Sequence, residues 1–218
     1  MMPDAPRGSI LQRDKKTYAI VPRTPVGLLS LQNLEALTEV VRKYEIPIVK
    51  ITSGQRLALV GIKEEDVEGV WKDLGMDMGK ATELCVHYVQ ACPGTAVCRF
   101  GVQDSLGVGL EVEKLFVGME LPAKLKIGVS GCPMTCGESF VRDLGILGKK
   151  NGWTFIFGGH SGASARVGDI LAEGLDTQQI LDLTRRCLNY YRDHAKKKER
   201  AAAFVERVGL EEIKKALL

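Results

Sequence analysis

Four cysteines fall as two short pairs inside glycine-bearing loops. Ala91-Cys92-Pro93-Gly94-Thr95 runs on to Cys98, and Gly131-Cys132-Pro133-Met134-Thr135-Cys136-Gly137 holds the second pair. Five residues separate the first two cysteines, three the second two, and 33 lie between the pairs. Loops of this kind can aim two thiolates at one point. On spacing alone three readings stay open: a metal centre, inert core thiols or a redox disulfide pair. Four converging thiolates suit a 4Fe-4S cluster. Zinc also takes four, but its pairs usually have tighter Cys-x2-4-Cys spacing with ribbon-like flanks. Prolines 93 and 133 fix φ and remove an N–H, while the neighbouring glycines let amides approach sulfur. Cys85, in an apolar strand, and Cys187, on an amphipathic helix, read instead as buried core thiols.

Glycine marks the same half of the chain. Sixteen of the 24 glycines lie between Gly94 and Gly174, where glycine signals positive φ or a close approach of the backbone to something bulky. The rest of the composition is that of a soluble globular protein. A net charge of +3 from 30 basic and 27 acidic residues excludes a polybasic nucleic-acid module, and 6% aromatics argue against a base-stacking surface. No apolar run reaches the roughly 18 residues of a membrane span. The N-terminal MMPDAPRGSILQRDKK has no apolar core of a signal peptide. A cytoplasmic protein with reduced thiols is expected.

Patterning predicts an α+β chain. Tyr18–Val21 reads as a strand, and Ser30 as the N-cap of a helix reaching about Tyr44. Strands follow at Ile46–Ile51 and Arg56–Ile62 around the turn Thr52-Ser53-Gly54-Gln55, then a helix from about Glu64 to Leu74. A further strand near Leu84–Val89 would complete a split βαβ, ferredoxin-like unit. The predicted layout is an N-terminal extension (1–17), a ferredoxin-like half-domain (18–90) and a glycine-rich α+β domain with C-terminal helices (91–218). That last part should hold a helix around Leu106–Phe116, strands at Leu125–Val129, Leu144–Leu147 and Trp153–Phe157, and a helix buried along Ile180, Leu183 and Cys187. His87, His160 and His194, the second beside Gly158-Gly159, show no metal spacing and read as core or surface residues. The Lys196–Arg200 run reads as a solvated helix face.

Two segments carry a resemblance. Cys-Pro-Gly-Thr-Ala-Val-Cys-Arg-Phe-Gly-Val-Gln-Asp-Ser (92–105) and Lys-Leu-Lys-Ile-Gly-Val-Ser-Gly-Cys-Pro-Met-Thr-Cys (124–136) resemble the signature segments of the sirohaem-dependent nitrite and sulfite reductases. The likeness extends to Arg23-Thr-Pro-Val-Gly27, Lys50-Ile-Thr-Ser-Gly-Gln-Arg56, Gly152-Trp153 and Gly158-Gly159. By size the chain looks like the small, single-repeat, assimilatory-type sulfite reductases.

The resemblance implies that Cys92, Cys98, Cys132 and Cys136 hold a 4Fe-4S cluster, with Cys136 also the axial ligand of sirohaem. It implies that Arg23, Lys124 and Lys126 face sulfite or nitrite. Many relatives carry arginine where this chain has Gly54, so Arg56, just after the glutamine, takes that role. Thr52, Ser53, Gln55, Thr95 and Arg99 are the matching candidates for the sirohaem carboxylates, and the glycine-rich half should surround the tetrapyrrole. The implied activity is six-electron reduction of sulfite to sulfide, with nitrite to ammonia, or a non-catalytic electron-transfer subunit, as alternatives. Larger family members contain two such units. A homodimer is therefore expected, in which Arg23, Arg56, Lys124 and Lys126 of one subunit approach the sirohaem of the other, with electrons from a separate donor such as a ferredoxin and no nucleic-acid or membrane partner.

Overall fold

The structure, a computed structural model, describes residues 5–218. It comprises two compact units, one ending at Thr82 and the other Glu83–Leu218.

The first unit is a four-stranded antiparallel sheet, β1 (Ser9–Leu11), β2 (Thr17–Ile20), β3 (Ile48–Ile51) and β4 (Leu57–Lys63), in the order β1-β2-β4-β3. Two helices, α1 (Leu31–Lys43) and α2 (Val67–Leu74), complete it. The α1 helix starts where Ser30 and Asn33 cap each other: Asn33 N–H donates to Ser30 Oγ (3.1 Å) and Ser30 N–H to Asn33 Oδ1 (3.2 Å). Leu37 and Val40 of α1 pack with Val67, Val70 and Trp71 of α2 and with Ile20 and Leu59 of the sheet. Helical spacing thus becomes a buried stripe. Gly75, at φ +61°, ends α2 in the left-handed region.

The second unit is a five-stranded mixed sheet in sequential order: β5 (Val86–Ala91), β6 (Leu125–Ser130), β7 (Leu144–Lys149), β8 (Gly152–Phe157) and β9 (Asp169–Leu175). The β5, β6 and β7 strands run parallel, while β8 and β9 return antiparallel. Helix α3 (Ser105–Phe116) lies on the β5-to-β6 crossover, and α4 (Thr177–His194), α5 (Ala201–Val208) and α6 (Leu210–Leu217) follow the sheet. Edge-on rings of Phe157, Tyr191 and Phe204, with centroids 5.2–6.4 Å apart, join β8 to α4 and α5.

Two expectations change. The strand expected near Leu84–Val89 as the end of the first unit is β5, the first strand of the second sheet, so the chain passes between units at Thr82/Glu83 rather than at Gln90. All six β5 residues are buried, which suits a parallel strand covered on both faces rather than a half-exposed antiparallel one. The expected extension 1–17 likewise contributes β1, paired with β2, although residues 1–4 lie outside the described residues. The β9 strand had no counterpart in the sequence reading.

Glycine in the second unit admits the protein's own backbone. Gly128 and Gly145 are partners in the β6/β7 register. A Cβ on Gly128 would stand 2.3 Å from Gly137 O, and one on Gly145 1.9 Å from Ser139 O. The segment joining β6 to β7 therefore lies flat on the sheet, a role the sequence reading gave to a tetrapyrrole.

Candidate functional site

That connection, residues 131–143, carries Cys132 and Cys136. It is fastened to the sheet by Gly137 N–H to Ser130 Oγ (3.0 Å) and by Ser139 Oγ, which donates to Ile146 O (2.9 Å) and lies 2.8 Å from Ser130 Oγ. The other cysteine loop, after β5, is stitched to its start. Cys92 N–H donates to Val129 O (3.1 Å), and the N–H groups of Val102 and Gln103 both donate to Gly131 O (2.9 and 3.0 Å). Gly131 N–H donates to Cys92 Sγ (3.1 Å), and the Ser105 hydroxyl lies 3.3 Å from the same sulfur. The fold thus brings the two cysteine loops into backbone contact. All six cysteines are free thiols: Cys92 and Cys132 buried, Cys98 half-buried and Cys136 exposed. Among the described residues no three His, Cys, Asp or Glu side chains crowd close enough to hold a metal ion. Thr95 and Arg99 are exposed on the first loop; Thr95 N–H donates to Gln103 O (3.2 Å) and the Arg99 guanidinium lies 4.6 Å from the Phe100 ring centroid. Cys85 and Cys187 are buried away from these loops, and burial pushes the Cys187 thiol upward.

Alternation along β6 puts Lys124, just before the strand, and Lys126 on one face. They line a pocket of about 200 Å³ with Arg142, Asp143, His160 and Arg200. Asp143 is 1% exposed and grips Arg200 through both carboxylate oxygens (2.8, 2.8 and 3.1 Å), while Oδ2 also accepts the main-chain N–H of Lys126 (2.9 Å). Burial raises the Asp143 carboxyl against the opposing pull of Arg200 and of that N–H. Arg142, also buried, donates to Gln90 Oε1 (2.8 Å) and pairs with Glu138. Lys126 is half-buried. Burial first, then the charges of Arg142, Arg200 and Lys124, hold its ammonium below the usual lysine range, with Asp143 pulling the other way. Basic residues scattered from 124 to 200 meet here. Sequence reasoning named the two lysines, missed Arg142 and Asp143, and read Lys196–Arg200 as a solvated helix face, whereas residues 195–200 form a turn between α4 and α5 from which Arg200 reaches buried Asp143; His160, read as core or surface, lines the pocket. His87 is buried with Nε2 2.5 Å from Glu83 O, and His194 stacks on Tyr190.

In the first unit the Arg23–Gly27 and Thr52–Arg56 segments come together. Thr24 Oγ1 donates to Gln55 O (3.2 Å), and a Cβ on Gly27 would stand 3.0 Å from Gln55 Cβ. The expected turn closes through Thr52 N–H to Arg56 O (2.7 Å), with Gln55 at φ +58° and Ser53 exposed. Arg23 pairs with Asp77 (3.8 Å), and Arg56 donates to Lys80 O (2.5 Å). Val26, β-branched, sits at φ +46°, a strained conformation costing on the order of 1–3 kcal/mol and concentrated at functional loops.

Residues 83–218 match the family model described as the nitrite and sulphite reductase 4Fe-4S domain, and residues 10–76 match the nitrite/sulfite reductase ferredoxin-like half domain. An assimilatory-type sulfite reductase of Nitratidesulfovibrio vulgaris is 59% identical over 217 residues, covering 100% of both chains. A nitrite reductase [NAD(P)H] of Bacillus subtilis is 42% identical over 207 residues, covering 95% of this chain but 26% of its own length. Among solved structures, dissimilatory sulfite reductase I (TM-score 0.82, 12% identity, 92% of this chain and 69% of that one) and the Mycobacterium tuberculosis NirA protein (0.82, 18%, 92% and 39%) have the same fold. With a family model on each unit and a relative matched from end to end, the chain belongs to the nitrite and sulphite reductase family.

Proposed function

We propose that the protein is a sirohaem-dependent, assimilatory-type sulfite reductase that converts sulfite to sulfide in six electrons. The observation that carries this reading is the cationic pocket of Lys124, Lys126, Arg142 and Arg200, built on the unit that also holds the two touching cysteine loops. End-to-end similarity to a sulfite reductase favours sulfite over nitrite, since the nitrite reductase relative is matched over 26% of its length.

The residues fit the cofactors chemically. Four thiols on two adjoining loops are the ligand complement of a 4Fe-4S cluster, and an amide aimed at one sulfur is the kind of hydrogen bond that sets cluster potential. Exposed Val97, Phe100 and Met134 on the same loops offer apolar surface of the sort a tetrapyrrole covers. We assign Cys92, Cys98, Cys132 and Cys136 as the residues that would hold the cluster, with Cys136 also a residue that would hold sirohaem. Thr52, Ser53, Gln55, Thr95 and Arg99 are assigned to the sirohaem carboxylates. When bound, the two groups would supply the electrons and the iron chemistry for reduction of the substrate.

The chain's own part is charge and protons. Lys124, Lys126, Arg23 and Arg56 neutralise the oxyanion, and Lys126 at Nζ donates protons as each oxygen leaves as water. Arg200 and Arg142 reinforce the positive field. Electrons come from a separate redox protein, and a homodimer brings the cations of one subunit to the sirohaem of its partner. The protein works in the cytoplasm; no helix among the described residues is long and apolar enough to cross a membrane.

The absorption spectrum of the purified protein, joined to a sulfide-forming assay with a reduced dye, tests the reading. Sirohaem bands with sulfide as product are expected. Colourless protein with stoichiometric zinc would overturn it, nitrite turning over faster than sulfite would reassign the substrate, and an active monomer in sedimentation would remove the dimer.

A further inference from the structure

Lys126 lies in a pocket where Arg142, Arg200 and Lys124 disfavour its charge. Around it stand Lys124 just before β6, the Tyr88 ring of β5 (5.9 Å from Nζ to the centroid), Arg142 and Asp143 ahead of β7, His160 after β8 and Arg200 ahead of α5. Asp143 is the acidic side chain among them. Its carboxylate is almost wholly buried, forked by Arg200, and bonded to the main chain of Lys126 itself. A carboxylate so held is fixed in place, and because it is shielded from solvent its charge acts on neighbouring groups more strongly than it would in water.

We propose that Asp143 is the positioning residue of the reductase reaction: clamped by Arg200, it fixes the start of β6 at Lys126 and supplies negative charge to the pocket that Lys126 lines, which lets this lysine serve as the proton donor. The Asp143–Arg200 pair spans 57 residues and ties the segment before α5 to the pocket, so the C-terminal region takes part in the chemistry through it. Arg200 does two things in the arrangement. Its fork on both carboxylate oxygens pulls Asp143 toward the charged form against burial, and it adds a cation to the pocket wall. The inference rests on the sulfite reductase reading for the role of Lys126, and on the geometry alone for the influence of Asp143 upon it.

The sign of the effect is fixed. Removing the carboxylate charge leaves Lys126 facing Arg142, Arg200 and Lys124 without compensation, so its ammonium loses its proton at lower pH. Two readouts test this on the holoprotein. The first is the pH dependence of acetylation of Lys126 by dilute acetic anhydride, followed by peptide mass spectrometry, which reports the neutral fraction of the amine whether or not the protein turns over. The second is the pH profile of sulfide formation with a reduced dye. Asp143→Asn should move the Lys126 labelling midpoint down by about one pH unit, with the alkaline limb of kcat moving in the same direction. Asp143→Glu, which restores the carboxylate, should recover most of both. A midpoint unchanged in Asp143→Asn, or displaced as far in Asp143→Glu, would overturn the inference. Wild-type protein that binds sirohaem yet forms no sulfide would instead overturn the reductase reading, while the labelling midpoints still decide the role of Asp143.

Discussion

The amide N–H of Gly131 donates to the sulfur of Cys92 across 3.1 Å, linking the two cysteine loops through residues 39 positions apart. The contact is permitted by size. A Cβ on Gly131 would stand 2.7 Å from Gln103 O, 2.8 Å from Gly94 Cα and 2.9 Å from Ser105 Oγ, so backbone on the opposite loop would have to give way. The glycine therefore sets how closely the loops approach as well as placing the N–H.

Gly131→Ala should accordingly separate the loops before it unfolds the unit. Overpacking of this kind costs roughly 1–3 kcal/mol, and the expected chemical effect is a severalfold fall in iron and acid-labile sulfide per chain. Gly75→Ala is the control: Gly75 is at φ +61° with nothing within 4 Å of an added Cβ, so it should lose about 1 kcal/mol of stability and no iron. Iron retained at the wild-type level in Gly131→Ala would contradict the argument.

The six cysteines should divide four and two. Cys98→Ala is expected to abolish cluster iron and its visible absorption. Cys187→Ser should keep the iron and cost about 1–3 kcal/mol by placing a hydroxyl in an apolar, 1%-exposed position on α4. Iron analysis and urea unfolding of the two variants check both halves, and equal iron loss in the two would erase the distinction.

The sequence made the first unit and the cysteine loops readable because their signals are local. Ser30 caps a helix three residues from its partner, Val67, Val70, Trp71 and Leu74 repeat at helical spacing, and each cysteine pair lies within one loop. What stayed hidden depends on distant partners. Val86–Ala91 reads as a strand from either side of the unit boundary, and only its parallel pairing with β6 assigns it to the second sheet. Asp169–Leu175 alternates poorly and is broken by Gly174, with register shifts against β8. Asp143 and Arg200 look like two ordinary surface charges until the fold buries one against the other. Gly128 and Gly145 announced a close approach without saying to what, and the object proved to be the loop that carries Cys132 and Cys136.

Acid should loosen the segment that delivers Arg200. Glu199, its neighbour, accepts Arg207 through both oxygens (2.7 and 2.8 Å) and the Lys196 N–H (2.8 Å), which holds its carboxyl down at about 2. A folded-state value below the unfolded one gives stability that is fully present above about pH 4.5 and is lost as pH falls toward 2. Glu199→Gln should therefore lose about 1–2 kcal/mol near neutrality. Its unfolding midpoint should also fall less steeply than that of the wild type between those pH values. Thermal unfolding across the range measures both, and parallel curves for the two proteins would refute the assignment.

The two lysines of the pocket should separate kinetically, because they differ in exposure. Lys124 is exposed, so its charge is screened by salt and acts mainly on the approach and binding of the anion. Lys126 is half-buried among Arg142, Asp143 and Arg200, where a proton can be passed without competition from bulk water. Lys126→Ala is expected to leave the visible spectrum nearly unchanged and to lower kcat by about 10²–10⁴-fold, the usual weight of a positioned general acid. Lys124→Ala should instead raise KM for sulfite and weaken its dependence on ionic strength, with kcat reduced far less. Steady-state sulfide formation at two salt concentrations distinguishes the cases. Equal kcat losses in the two variants would mean that the pocket acts as a diffuse field rather than through Lys126, and unchanged turnover in Lys126→Ala would remove that side chain from the proton path.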